Sequence, residues 1–375
     1  MKRLSIACFL LPCAMALQAG DAMVPATEEI AEEIVVTGTR TAQLMLDSPV
    51  RVDVLNRQQL EQLHARELTE AVTTVPGINV RQVVGKDGQE AWLQGISANR
   101  VLVLVDGEPV SASTGSAVDL SQVSVGDIER VEIVKGATSV LYGSAAMGGV
   151  INIITAGLRP GLHYKLSADA GSYGGQNPSA NVWDASRRRL NAAVSVGGEH
   201  WQTAFSLNGR FSDGFQQDPD AWPQQGADGH KINGEWQLAY RPDRNSRYRL
   251  RYEVYDQEQH TRLLGFTPPA QWNRLDKYDN AERHHLALGG EWQVGQNDWR
   301  LNAFVEQYRN ESLPQGTFVR EADFDTGKIS SQWNSQLHAA HLLTLGVELF
   351  SEQLAQRKIE QDGTVVDELD GCSHA

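Results

Sequence analysis

The chain has 375 residues, with 33 Lys and Arg against 47 Asp and Glu and a formal charge of −14. That acidic balance excludes a general nucleic-acid binder, which needs a basic footprint. A mean hydropathy of −0.38 with 21% charged residues excludes a bundle of membrane helices, since a spanning helix needs about 20 mostly apolar residues. A membrane β-barrel stays open, because its strands alternate apolar and polar residues and average to a soluble-looking hydropathy.

In chain order, Lys2-Arg3 precedes an apolar run from Leu4 to Leu17 and the small residues Ala16, Ala19 and Ala22. This predicts a signal peptide over 1–22 and export of the remainder. Cys8 and Cys13 fall in that leader and Cys372 lies near the other end, so neither a disulfide framework nor a CxxC metal site is expected. Residues 23–48 are polar and acidic, with Glu28, Glu29, Glu32 and Glu33, broken by the β-rich run Ile34-Val35-Val36-Thr37 before Gly38. Two readings stand side by side. The run is suited to adding as a strand to another protein's sheet, or it is the first strand of the next domain.

Residues 49–155 read as a compact α/β domain. Val50, Val52 and Val54 alternate as a strand, and Asn56 with Gln59 predicts a capping box opening a short helix through Leu60 and Leu63. A second helix around Leu68, Ala71 and Val72 stops before Pro76-Gly77, because proline disfavours helical geometry in the residue before it. Strands follow at Ile78–Val80, Val101–Val105, Ile128–Val134 and Val150–Ile154, with turns at Gly85–Gly88 and Asp106-Gly107. Gly136, Gly143, Gly148 and Gly149 lack phosphate-loop and dinucleotide-fold spacing, so tight turns and close packing explain them.

From Leu162 the pattern changes to long alternating strands. Trp201, Thr203, Phe205, Leu207 and Phe211 share one face, with Gln202, Ser206, Asn208 and Arg210 on the other. Ile232, Trp236, Leu238 and Tyr240 oppose Lys231, Asn233, Glu235 and Gln237, and Leu286, Leu288, Trp292 and Val294 oppose Arg283, His285, Glu291 and Gln293. Long connections are expected near 171–188, 213–229, 257–278 and 312–321, and short ones near 197–200, 242–246, 295–298 and 336–340. Asymmetric loops of this kind mark an outer-membrane barrel, with Trp201, Trp292 and Trp299 in an interfacial girdle. The competing reading is a soluble sandwich with one wet face. No catalytic set is expected: Ser195, His200 and Asp218 have no nucleophile-elbow or triad context. No metal set is expected either, since the neighbouring His284 and His285 point to opposite faces of a strand. An enzyme is therefore the least favoured class, and no cofactor is called for.

The run Glu33-Ile34-Val35-Val36-Thr37, Val75-Pro76-Gly77, Val101 through Gly107, Ile128-Glu129-Arg130-Val131-Glu132, and Leu141-Tyr142-Gly143 through Gly148–Ile154 recur in the order in which this sequence resembles the TonB-dependent outer-membrane receptors. The resemblance implies an α+β plug (49–155) followed by an antiparallel transmembrane β-barrel (156–375), the complete barrel having about 22 strands and a plugged lumen. It implies import of a ferric siderophore across the outer membrane, with TonB and its inner-membrane energising complex as partners and outer-membrane lipid as surroundings. Cobalamin or haem is the alternative cargo, and a plug-containing periplasmic binding or signalling module is the alternative of a different class. Glu33, Ile34, Val35, Val36 and Thr37 carry the TonB-binding role, which favours the recruited-strand reading. Lys86, Asp87, Gln89, Ser111, Ser113, Thr114 and Ser116 are carried over to the floor of the ligand site. Gln94 and Lys135 stand where family plugs place arginines against barrel carboxylates. Gln94 forms no ion pair and Lys135 lacks the guanidinium fork, so the plug-to-barrel lock is expected to be built differently. About nine strands are counted, and the chain is expected to be an N-terminal portion or frameshifted product that does not transport alone.

Overall fold

The computed structural model describes residues 34–35, 37–38, 43–44, 48, 50–63, 65, 67–83, 88–110, 117–123, 128–136, 142–143, 146–179, 181–216, 226–267, 271–314, 318–338, 341–360 and 363–374. The expected leader, 1–22, lies outside them.

The first part is a small α/β unit. Strand β1 (Ile34–Val35) pairs antiparallel with β2 (Gln43–Leu44). Strand β3 (Val52–Asn56) runs into helix α1 (Arg57–Gln62), which opens with the expected reciprocal cap. Gln59 N donates to Asn56 Oδ1 and Asn56 N donates to Gln59 Oε1, both at 2.9 Å. Helix α2 (Leu68–Val72) buries Leu68, Ala71 and Val72. Strands β4 (Ile78–Gln82) and β5 (Gln89–Leu93) form a hairpin. Strands β6 (Val101–Val105) and β7 (Glu108–Pro109) form another, turned by Asp106 and Gly107 at φ +52° and +86°. Positive φ at both central residues is the turn whose twist matches a hairpin.

Strands β8 (Ile128–Lys135) and β9 (Gly149–Thr155) complete a five-stranded sheet in the order β3-β8-β9-β6-β7, with β6 and β9 parallel. Gly149 has φ +135°, and a Cβ there would lie 2.3 Å from the Val134 carbonyl, so only glycine lets β9 start against β8. One face carries Leu55, Val131, Ile133, Ile151 and Ile153 into the main core with Leu68 and Val72. The other carries Val52 and Val134 against Val35, and Leu104 and Val150 against Ala146. Covering on both faces is why β6 reads as an unbroken apolar run rather than an alternation.

The second part is one antiparallel sheet, each strand beside its neighbours in sequence: β10 (Gly161–Gly171), β11 (Arg187–Gly197), β12 (Trp201–Asp213), β13 (Asp228–Tyr240), β14 (Ser246–Thr267), β15 (Gln271–Val294), β16 (Asn297–Pro314), β17 (Phe318–His338), β18 (His341–Glu360) and β19 (Val365–His374). Two expectations are corrected. The stretches 257–278 and 312–321, read as long connections, are mostly strand: β14 and β15 are 22 and 24 residues long and pair through Thr267 and Gln271. Among the described residues this sheet has ten strands where about nine are expected, and the last of them, β19, carries Asp367, Glu368 and Asp370. Over 257–262 and at Asp367-Glu368 polar residues occupy both faces, so hydrophobic alternation is silent there while backbone pairing continues.

The apolar face of this sheet is the exposed one. Phe205 is 54% exposed, Val305 60% and Val347 66%, whereas Lys231, Asn233, Arg283 and His285 on the opposite face are buried. A soluble sandwich buries its apolar face, so this inversion rejects that reading and fits a wall standing in lipid. Among the described residues no helix is long and apolar enough to cross a membrane. At the short-turn end, ring centroids run Trp201–Tyr240 4.1 Å, Tyr240–Tyr248 6.2 Å, Tyr248–Trp292 5.8 Å and Trp292–Trp299 4.8 Å. This is the aromatic belt of a membrane interface.

Candidate functional site

Two sets of contacts define the site: those that hold the segment around Thr37 on the plug, and those that join the plug to the buried face of the wall.

Glu33 and Val36 lie outside the described residues. Val35 is fully buried against Val52 and Val134. Thr37 is fully buried as well. Its N–H and Oγ1 donate to Glu132 Oε2 at 2.8 and 2.7 Å, Asn152 Nδ2 donates to Thr37 Oγ1 at 2.9 Å, and the Tyr142 hydroxyl donates to Thr37 O at 3.1 Å. Arg130 balances the Glu132 charge at 2.7 Å. Glu132 and Asn152 face each other across the β8–β9 ladder, so both project from the same face of the sheet toward the incoming segment. A fully buried carboxylate of this kind is costly unless paired and hydrogen-bonded. Here Thr37 and Arg130 do both.

The seam between plug and wall is polar and dense. From β12 and β13, Arg210 reaches Glu67 at 3.2 Å and also the Ser121 carbonyl. Lys231 Nζ donates to Ser121 Oγ at 2.6 Å, and Asn233 Nδ2 donates to Gln122 O at 2.9 Å. Gln122 Nε2 in turn donates to the Tyr308 hydroxyl at 3.1 Å. Lower on the wall, Arg251 lies 3.7 Å from Asp106, and His285 stands 3.0 Å from both Glu108 and Glu306. Behind them Arg251 bonds Glu235 at 2.6 Å and Glu253 at 2.9 Å, and Arg283 pairs with Glu253. A cavity of about 50 Å³ remains between the two parts, lined by Ser206, Asn208, Arg251 and Arg283 among others.

Gln94 and Lys135 take no part in these contacts. Gln94 occupies a tight turn at φ +49°, its N–H donating to Gly77 O at 2.7 Å. Lys135 Nζ is held inside the plug by Asp53 at 2.5 Å and Pro76 O at 2.5 Å. The polarity of the described seam is instead reversed. The wall contributes the cations Arg210, Lys231 and Arg251, and the plug contributes Glu67, Asp106, Glu108 and Asp119. The usable signal was the inward position of Lys231, Arg251, Arg283 and His285 on lipid-spanning strands, where a charge demands a partner. The partners themselves could not be named without the fold.

Of the residues expected at the ligand floor, Lys86, Asp87, Ser111, Ser113, Thr114 and Ser116 lie outside the described residues. Gln89 opens β5 and donates its N–H to Asp119 Oδ1 at 2.9 Å. Asp119 also caps Ser121 N at 2.9 Å and faces Lys231 at 4.0 Å, so the start of β5 is tied to the wall at Lys231. On the same hairpin Arg81 stacks over Trp92 at 4.1 Å, a pair the sequence reading did not single out. His284 and His285 point apart as expected, His284 bonding Glu282 at 2.8 Å and Tyr252 at 3.0 Å on the outer face.

Comparison with known proteins agrees with this geometry. A family model described as the TonB-dependent Receptor Plug Domain matches residues 45–150. The chain is 36% identical over 169 residues to the vitamin B12 transporter BtuB of Vibrio cholerae serotype O1, covering 44% of this chain and 28% of that one. It is 27% identical over 347 residues to the iron-regulated outer membrane virulence protein of the same species, covering 87% and 48%. Among solved structures, the fold matches a ferric enterobactin receptor of Pseudomonas aeruginosa with TM-score 0.69 and 16% identity, covering 86% of this chain and 51% of that one. It also matches the siderophore receptor PirA of Acinetobacter baumannii with TM-score 0.66 and 17% identity, covering 82% and 48%. The chain thus spans half or less of the length of these curated relatives. The chain carries a TonB-dependent receptor plug domain over residues 45–150, followed by a wall whose fold matches that of solved siderophore receptors.

Proposed function

We propose that this protein is an outer-membrane receptor that binds a ferric siderophore and imports it when TonB, driven by its inner-membrane complex, pulls on residues 33–37. The observation that carries the reading is the docked segment itself. Val35 and Thr37 are buried on the plug, and among the described residues their hold is one small apolar cluster, four hydrogen bonds and the short β1–β2 pairing. Such a hold is strong enough to store the segment and weak enough to surrender it to a competing strand. Binding by strand addition rests on backbone pairing, with side chains secondary. No covalent step is required of the protein.

Cobalamin is the second reading, favoured by the 36% identity to a vitamin B12 transporter. Intrinsic tryptophan fluorescence of the chain in detergent, titrated with a panel of ferric siderophores, cyanocobalamin and haem, separates the cargoes. Saturable quenching by a ferric siderophore alone is expected. Quenching by cyanocobalamin alone would replace the iron reading. Coupling is tested by binding of the TonB periplasmic domain. Val35→Pro removes a backbone donor and resists strand pairing, so it should abolish TonB binding and leave cargo binding intact. Undiminished TonB binding by that variant would remove the role given to residues 33–37.

A further inference from the structure

We propose that Asn152 is a positioning residue that ties the wall contacts of the Asp106–Gly107–Glu108 turn to retention of the segment at Thr37. The inference rests on reading that segment as the one TonB takes, but the link itself is a property of the plug.

Asn152 sits mid-sheet on β9, paired with Glu132 on one side and Leu104 on the other, and is 2% exposed. Its neighbours on that face include Val150 and Leu104, both buried, so an apolar side chain would suit the packing. An amide here is justified only by its hydrogen bonds, since a buried polar group left unpaired costs the full desolvation penalty. Those bonds run in two directions. Nδ2 donates to Thr37 Oγ1 at 2.9 Å, and Oδ1 accepts from Gly107 N at 3.1 Å.

Gly107 belongs to the turn that meets the wall. Asp106 faces Arg251 at 3.7 Å, and Glu108 bonds His285 at 3.0 Å. The turn is also fixed to β9, by Asp106 N to Ile153 O at 2.8 Å and by Thr155 Oγ1 to Asp106 Oδ2 at 2.7 Å. The carboxamide is planar, so its donor and acceptor ends turn together. A shift of the turn that draws Gly107 N away frees Oδ1, and any rotation of the amide to follow it withdraws Nδ2 from Thr37. Glu132 then holds the Thr37 side chain without help. The state of the wall contacts is thereby felt at the coupling segment through one side chain.

Hydrogen–deuterium exchange of the full chain in detergent, followed by mass spectrometry of peptides covering 34–38, tests the link. Asn152→Leu should raise exchange there about tenfold, as expected for one net hydrogen bond and the loss of its alignment. Glu108→Ala, which touches only the wall end, should raise it about threefold in the wild-type background and not further in Asn152→Leu. Thr37→Val leaves the sheet untouched and should likewise cancel the Glu108→Ala effect, which covers the case in which Asn152→Leu does not fold. Peptides 101–105 and 150–154 should keep their protection in every variant used. Equal Glu108→Ala effects in all backgrounds, or unchanged exchange in Asn152→Leu, would overturn the proposal. TonB-domain binding measured in parallel keeps the readings apart: binding with no coupled exchange removes the link alone, and coupled exchange with no binding removes the transport reading alone.

Discussion

Arg283→Met is expected to destabilise the wall by about 3–5 kcal/mol, the usual consequence of removing one partner from a buried ion pair. Arg283 is 4% exposed and pairs with Glu253, with Glu306 4.0 Å away and the Tyr255 ring 5.5 Å from its guanidinium carbon. Methionine fills similar volume but removes the cation that two buried carboxylates share, leaving Glu253 to Arg251 and Glu306 to His285. The loss is therefore electrostatic rather than steric. Arg309→Met is the control: its side chain is 70% exposed and lies 3.6 Å from Asp323. An exposed pair of that kind contributes about 0–1 kcal/mol. Equilibrium urea unfolding in detergent, read by tryptophan fluorescence, compares the two. Equal, small changes would mean that the inner face of the wall is hydrated rather than sealed by the plug.

Phe205→Arg and Leu238→Arg should each impair membrane assembly, at a cost of about 2–4 kcal/mol if they sit near the bilayer midplane. Phe205 is 54% exposed and stacks beside Trp236 at 6.0 Å, on the same outer face as Leu238. Gln237→Arg points inward beside Glu235, to which Gln237 now bonds at 2.5 Å, and should be tolerated. Ser206→Arg is a poorer control than the alternation alone implies, because Ser206 lines the 50 Å³ cavity against the plug, and an arginine there displaces plug side chains. Heat-modifiable migration and the yield of membrane-inserted protein measure the effect. If Phe205→Arg and Gln237→Arg assemble equally well, the outer face does not meet lipid.

Much of the architecture follows from local rules that the chain carries in order. The Asn56–Gln59 cap, the stop before Pro76, the Asp106-Gly107 turn and the alternation from Trp201 to Phe211 each depend on residues within a few positions of one another, and each forms as expected. Where that alternation lapses, over 257–262 and at Asp367-Glu368, the strands persist through backbone pairing with their neighbours, a term to which side-chain periodicity is blind.

The sequence by itself determined the family motifs, the two-part organisation and the division of the strands into an apolar and a polar face. Alternation alone does not say which face is buried, because a sandwich and a barrel share period 2, and the lipid-facing assignment of the apolar face rests on the leader, the loop pattern and the family resemblance. The packing of the plug against Lys231, Arg251 and His285 agrees with that assignment and shows which groups the buried face meets. The sequence could not pair Thr37 with Glu132, 95 residues away, or Gln122 with Tyr308, 186 residues away. Contacts at such separations depend on how whole sheets are placed in space, and no short-range pattern in the chain encodes that placement.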